Sequence, residues 1–86
     1  MQVNFSKRFS KQFIRLKAGE KDRFYSQLSI WLGNPAAPIL HVHALKGRYL
    51  GFYSMNVGGD LRALYKVEGN ETVLFDFIGS HSQLYG

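Results

Sequence analysis

The sequence predicts an α+β fold, in the order β-α-α-β-β-β: a small, mostly antiparallel sheet with two antiparallel helices packed on one face. Three observations lead there. Helical periodicity fills the first third of the chain and then stops. Strand-like runs occupy the rest, divided by Gly58-Gly59 and by Glu68-Gly69-Asn70-Glu71. The turns between those late runs are tight, so neighbouring strands should be antiparallel. At 86 residues the chain fits one domain, 1-86, with a modest core.

Met1 to Phe5 reads as a short first strand, with Val3 and Phe5 on one side. Ser6 is placed to cap a helix, because its hydroxyl can accept from a free amide of the first turn. Phe9, Phe13 and Leu16 recur at i, i+4 and i+7 and define one helical face; Lys7, Arg8, Lys11 and Arg15 take the other, with Ile14 nearer the basic side. Ala18-Gly19 is expected to end this helix, with Gly19 as a left-handed cap. A second helix, from about Glu20 to Leu32, should bury Phe24, Leu28, Trp31 and Leu32. Glu20 and Asp22 sit in its first turn, where the helix dipole favours negative charge, and Gly33-Asn34-Pro35 stops it. Pro35 to Pro38 is a brief linker. Ile39 to Leu45 alternates apolar residues with His41 and His43. Tyr49 to Val57 reads as a strand, Gly58-Gly59 as the hairpin turn, Leu61 to Val67 as the returning strand and Thr72 to Ile78 as the last one. Gly79 to Gly86 is a short tail. Tyr65 and Phe52 are assigned to the core.

Apolar residues make up 45% and aromatics 15%, which argues for a folded chain. There is no cysteine, which excludes a disulfide framework and a thiolate metal site. No apolar run approaches the roughly 20 residues that span a bilayer, and no signal-peptide core is present, so a cytoplasmic protein without a membrane partner is the simplest expectation. The net charge of +5 is unevenly placed. Residues 1–24 carry seven bases against two acids, whereas residues 25–86 carry four of each. Such a patch suits a polyanion, or simply keeps a small domain in solution.

His41, His43 and His81 raise the question of a metal, but no ligand signature of known spacing accompanies them, and neither a metal nor another cofactor is expected. A GxSxG elbow, an HExxH helix and a phosphate-binding glycine loop are all missing. What the residue types do suit is acid–base chemistry on RNA. The 2′-OH needs a base, the 5′-oxygen an acid, and the phosphate a cation; histidine serves either proton role near neutral pH. His43, His81, Lys46, Arg48, Arg62, Asp60 and Tyr85 are the candidates, with the tyrosine ring available to stack on a base.

Two segments, HALKGRYLGFYSMNVGGDLRALYKV and IGSHSQLYG, resemble the bacterial RelE/ParE toxin superfamily, and within it the YafQ-like mRNA interferases. The residues that carry the likeness are His43, Leu45, Gly47, Gly51, Phe52, Asp60, Leu64, Tyr65, Lys66, Gly79, Ser80, His81, Leu84 and Tyr85. The N-terminal half agrees in length, helix order and basic character.

The resemblance implies a RelE/ParE-like fold and the toxin of a type II toxin–antitoxin pair. Such a toxin enters the ribosomal A site and cuts mRNA there without a metal, leaving a 2′,3′-cyclic phosphate and a 5′-hydroxyl. It implies catalytic roles for His43, Asp60, His81 and Tyr85, with Arg62 bracing the phosphate or pairing with Asp60. Lys46, Arg48 and the basic first helix (Lys7, Arg8, Lys11, Arg15) would contact RNA. The implied partners are a cognate antitoxin, in a hetero-oligomeric complex, together with the ribosome and mRNA. The branch often carries an acid and a histidine before the hairpin turn; here those positions read Ser54 and Asn56, neither of which moves protons at neutral pH. Two alternatives accompany this reading: a ParE-like gyrase poison without nuclease activity, and a degenerate toxin that only binds its antitoxin.

Overall fold

The structure is a computed structural model that describes all 86 residues. Its elements run β1 (Gln2–Phe5), α1 (Lys7–Ile14), α2 (Ala18–Gly33), β2 (His43–Ala44), β3 (Tyr53–Gly58), β4 (Leu61–Val67), β5 (Thr72–Ser80) and α3 (His81–Tyr85). The five strands form one sheet in the order β1-β5-β4-β3-β2. All neighbours are antiparallel except β1 and β5, which run parallel in the register Gln2↔Thr72 to Phe5↔Phe75. The predicted α+β class and mostly antiparallel sheet are what the chain adopts, with a two-residue strand and a C-terminal helix added to the expected order.

Ser6 caps α1 as its position suggests: its hydroxyl accepts from the Phe9 amide at 3.0 Å. The helix then ends earlier than expected. Ile14 is its last residue, Gly19 lies inside the first turn of α2, and Gly19 has no positive φ. The new start is set at Lys17, whose extended backbone N–H donates to the Glu20 carboxylate at 2.9 Å. A carboxylate three residues on satisfies one of the amides a helix start leaves free, so the break falls before Ala18 rather than at the glycine.

Phe24 and Trp31 of α2 are buried and Leu28 is partly so, whereas Leu32 points to solvent. The position one turn below Trp31 is filled instead by Gln27, buried because its amide donates to the Asn56 carbonyl at 2.9 Å. Between the helices and the sheet, Phe5, Phe9, Phe13, Phe24 and Phe75 form one aromatic cluster. Phe24 stands edge-on to Phe75 at 5.7 Å, and Phe9 lies 5.3 Å from Phe24. Each fully buried ring of this kind contributes roughly 1.5–3 kcal/mol relative to exposure. Tyr65 belongs to this core, but Phe52 is half-buried on the sheet's other face.

β5 outruns β1, which would leave its outer edge unpaired. α1 covers that edge: the Ser6 amide donates to the Phe75 carbonyl at 3.0 Å, and Gln12 Oε1 accepts from the Ile78 amide at 2.9 Å. A bare strand edge is thereby capped by side chain and backbone together.

Two local expectations do not hold, and the alternation at Ile39 to Leu45 does not make a continuous strand. Pro38–Leu40 forms a 3₁₀ turn and His41 takes a left-handed conformation with φ 47°, so only His43–Ala44 pairs with β3. Tyr49 to Phe52 is likewise no strand: Gly47–Tyr49 is a second 3₁₀ turn, Gly51 has φ 95°, and β3 begins at Tyr53. Finally, the tail is helical. Ser80 Oγ accepts from the Gln83 amide at 3.2 Å while Gln83 Oε1 accepts from the Ser80 amide at 2.8 Å, the reciprocal pair that starts a helix. The 47–52 segment and α3 therefore cover part of the sheet face opposite α1 and α2.

Candidate active site

The β3–β4 hairpin turns at Gly59-Asp60, with Gly58 opposite Leu61 and an irregular register between Asn56 and Gly58. Gly59 has φ 54°, the left-handed region glycine enters cheaply. Beyond the turn, β4 places Arg62 opposite Asn56, and β5 places Gly79 beside Arg62. The strand therefore delivers Ser80 and α3 next to the arginine. On the other flank, β2 sets His43 opposite Ser54. These pairings produce one open hollow of about 320 Å³ lined by His43, Leu45, Ser54, Arg62, His81 and Tyr85.

Each wall of the hollow has a definite support. His43 Nδ1 lies 3.0 Å from the His41 carbonyl. A carbonyl only accepts, so Nδ1 carries the proton, and neutral His43 keeps its lone pair on Nε2. The strained turn at His41 is what aims that carbonyl. Arg62 Nη1 donates to Asn56 Oδ1 at 2.9 Å and to the carbonyls of Gly59 and Leu61 at 2.9 and 3.0 Å. The guanidinium is thus held by its own hairpin, with neutral acceptors that leave its charge uncompensated. The His81 amide donates to the Asp60 carbonyl at 3.1 Å, which ties the start of α3 to the hairpin turn. The rings of His81 and Tyr85 lie 4.7 Å apart, one helical turn along α3.

Of the residues singled out from sequence, His43, Arg62, His81 and Tyr85 meet here. Asp60 enters through its backbone carbonyl; its side chain is outside the lining and forms no ion pair with Arg62, contrary to one of the expected roles. Arg48 also lies outside the lining of the hollow. Its Nη2 donates to the Leu84 carbonyl at 2.7 Å, and Tyr49 Oη donates to the same oxygen at 2.6 Å. Lys46, Lys7 and Lys11 are exposed and do not line the hollow. Arg15 lines a separate cleft with Gln12, Glu20 and Gln83. Arg8 pairs with Asp76 at 2.9 Å and covers the Phe77 ring at 4.0 Å.

Sequence reasoning missed two contributors. At Ser54 and Asn56 the sequence alone shows only side chains that do not move protons. Asn56 instead supplies the acceptor that holds Arg62, and Ser54 is buried in the floor. Period-two alternation in β3 is the signal that separates them: Ser54 and Asn56 fall on the same side as the open face.

No protein-family model and no curated protein matches the chain. Solved structures do. YafQ from Escherichia coli superposes with a TM-score of 0.83 at 20% identity, covering 99% of this chain and 98% of that one. YafQ in the E. coli DinJ-YafQ complex gives 0.73 at 25% identity, over 99% and 98%. The RelB-RelE antitoxin-toxin complex of Methanococcus jannaschii gives 0.76 at 20% identity, over 96% and 95%. The chain has the RelE/ParE toxin fold. In this RelE/ParE-like chain the hollow lies where β2, the β3–β4 hairpin and α3 converge, on the face away from the two long helices.

Proposed function

We propose that the protein is the toxin of a toxin–antitoxin pair and that it cuts mRNA in the ribosomal A site. The observation that carries this reading is that His43 and His81, distant in sequence, line one hollow with Arg62 between neutral acceptors. In that arrangement Nε2 of His43 takes the proton from the RNA 2′-OH as O2′ bonds to phosphorus. Arg62 stabilises the negative charge that builds on the phosphoryl oxygens. His81, as imidazolium, gives its proton to O5′ as the P–O5′ bond breaks. The products are a 2′,3′-cyclic phosphate and a 5′-hydroxyl, and protons balance between the two imidazoles. Tyr85, beside His81, offers a ring on which the splayed base stacks. The fold-mates crystallised with antitoxins, DinJ-YafQ and RelB-RelE, support a protein antitoxin as the partner.

The test is incubation with translating ribosomes and a defined mRNA, with cleavage ends mapped for wild type, His43→Ala and His81→Ala. Wild type should cut, and each variant should lose roughly 10²–10⁴ in rate. Intact mRNA in the wild-type reaction would refute the nuclease reading. Gyrase-linked DNA breaks, or antitoxin binding with no effect on growth, would then decide between the two alternatives.

A further inference from the structure

Beside the hollow, on the same open face, lies a second and larger recess of about 530 Å³ that the acid–base reading leaves unused. Its walls are Arg8, Arg48, Tyr49, Phe52 and Phe77, with Leu84 below. The three rings stand nearly perpendicular to one another: Tyr49 to Phe77 at 5.2 Å and 83°, Phe52 to Phe77 at 5.7 Å and 74°. All three are only half-buried. Each carries a cation: Arg8 4.0 Å over Phe77, Arg48 5.1 Å over Tyr49, and Lys66 5.6 Å over Phe52. Arg8 and Arg48 line the recess, while Lys66, paired with Glu68 at 3.9 Å, stands outside it; rings and guanidinium groups together are what an unpaired nucleobase and its phosphate need.

The two arginines differ in what they can offer. Arg8 is bonded to the Asp76 carboxylate, so its charge is matched, and what remains is a flat guanidinium held 4.0 Å above the Phe77 ring. Arg48 is bonded only to a neutral carbonyl, so its charge is free for an anion. The recess also adjoins the hollow. Tyr49 touches Tyr85 at 5.5 Å, and Tyr85 touches His81 at 4.7 Å, so one aromatic residue forms the wall between them.

We propose that this recess is a stacking subsite for a nucleotide flanking the cleaved bond: its unpaired base lies on the guanidinium face of Arg8 and its phosphate meets Arg48. The inference rests on the ribonuclease reading and extends it, since it gives the enzyme a grip on RNA outside the scissile step. Sequence-tolerant affinity follows, because every base has a face to stack.

The experiment measures kcat/KM on ribosomes programmed with mRNAs that carry a single abasic nucleotide at each position flanking the cut. One position should be sensitive in wild type, by roughly 5- to 150-fold, the range that stacking one base on such a platform supplies. Arg8→Lys keeps a cation for Asp76 but lacks the plane, so in that variant the same position should become insensitive. Sensitivity that persists unchanged in Arg8→Lys, or a flat abasic profile, overturns the subsite while leaving the nuclease intact. Wild-type protein that leaves normal mRNA uncut removes the ribonuclease reading, and the subsite with it.

Discussion

Helix α3 has five residues, too few to stay helical in water alone, so His81 and Tyr85 are in place only while the segment is docked. Docking rests on the buried Leu84 side chain, on the His81 amide bonded to the Asp60 carbonyl, and on the Leu84 carbonyl, which accepts from Arg48 at 2.7 Å and from Tyr49 at 2.6 Å. The perturbation is Tyr49→Phe and Arg48→Met, singly and together. A neutral hydrogen bond contributes about 1 kcal/mol, and the charge-assisted one, discounted because Arg48 is exposed, contributes about the same. Each single change should therefore raise the undocked population of α3 roughly fivefold, and the double change roughly 30-fold. Amide hydrogen exchange reads this directly: residues 84 to 86 should exchange faster in that ratio while the core of β4 and β5 does not. Cleavage should fall in step with the docked fraction once that fraction drops below one. Unchanged exchange at α3 in the double variant would refute the reasoning, and so would a parallel rise across β4 and β5.

The other predictions concern single contacts. Asn56→Ala removes an acceptor from Arg62 and should lower kcat more than it raises KM, by roughly tenfold, since a hydrogen bond to a charged group contributes about 1.5–3 kcal/mol and two carbonyls remain; equal changes in both constants would count against a role at the transition state. Burial pushes the Asp76 carboxyl up, but hydrogen bonds from Ser6 and Arg8 and the charges of Arg8 and Lys66 outweigh it and hold the group below its ordinary value. A depressed folded pKa adds stability above the unfolded carboxylate range that is lost as pH falls through the folded pKa, so urea midpoints of wild type and Asp76→Asn should converge on acidification; a gap independent of pH would contradict this. Gly59→Ala meets no atom within 4 Å, so its cost is the left-handed backbone alone, about 1–2 kcal/mol, or a fall in Tm of roughly 4–15 °C by calorimetry; no change would mean that the turn rearranges freely.

Much of the architecture was legible because periodicity and burial agree. Phe9, Phe24 and Trp31 announce their faces by spacing, and the β3–β4 hairpin by its glycines. The errors share one cause, which is that local signals compete. Gly19 looks like a helix end, yet Glu20 captures the Lys17 amide and starts a new helix around it. The alternation at Ile39 to Leu45 looks extended, yet Pro38 begins a turn that His41 completes in a left-handed conformation. α3 has no apolar period long enough to notice, although Ser80 and Gln83 spell its cap. In the hollow, residue types pointed to His43, His81, Arg62 and Tyr85. Only distances reveal that Asp60 acts through its backbone and that Arg48 holds α3, because side-chain partners between distant segments leave no trace in spacing.

The parallel pairing of β1 with β5 has a consequence for the order of assembly. Residues 2 to 5 leave the ribosome well before their one sheet neighbour, residues 72 to 75. Closing so long a loop is entropically costly, and topologies of this kind fold late and cooperatively. The hollow draws on residues 43 to 85, so a half-made chain does not yet contain it.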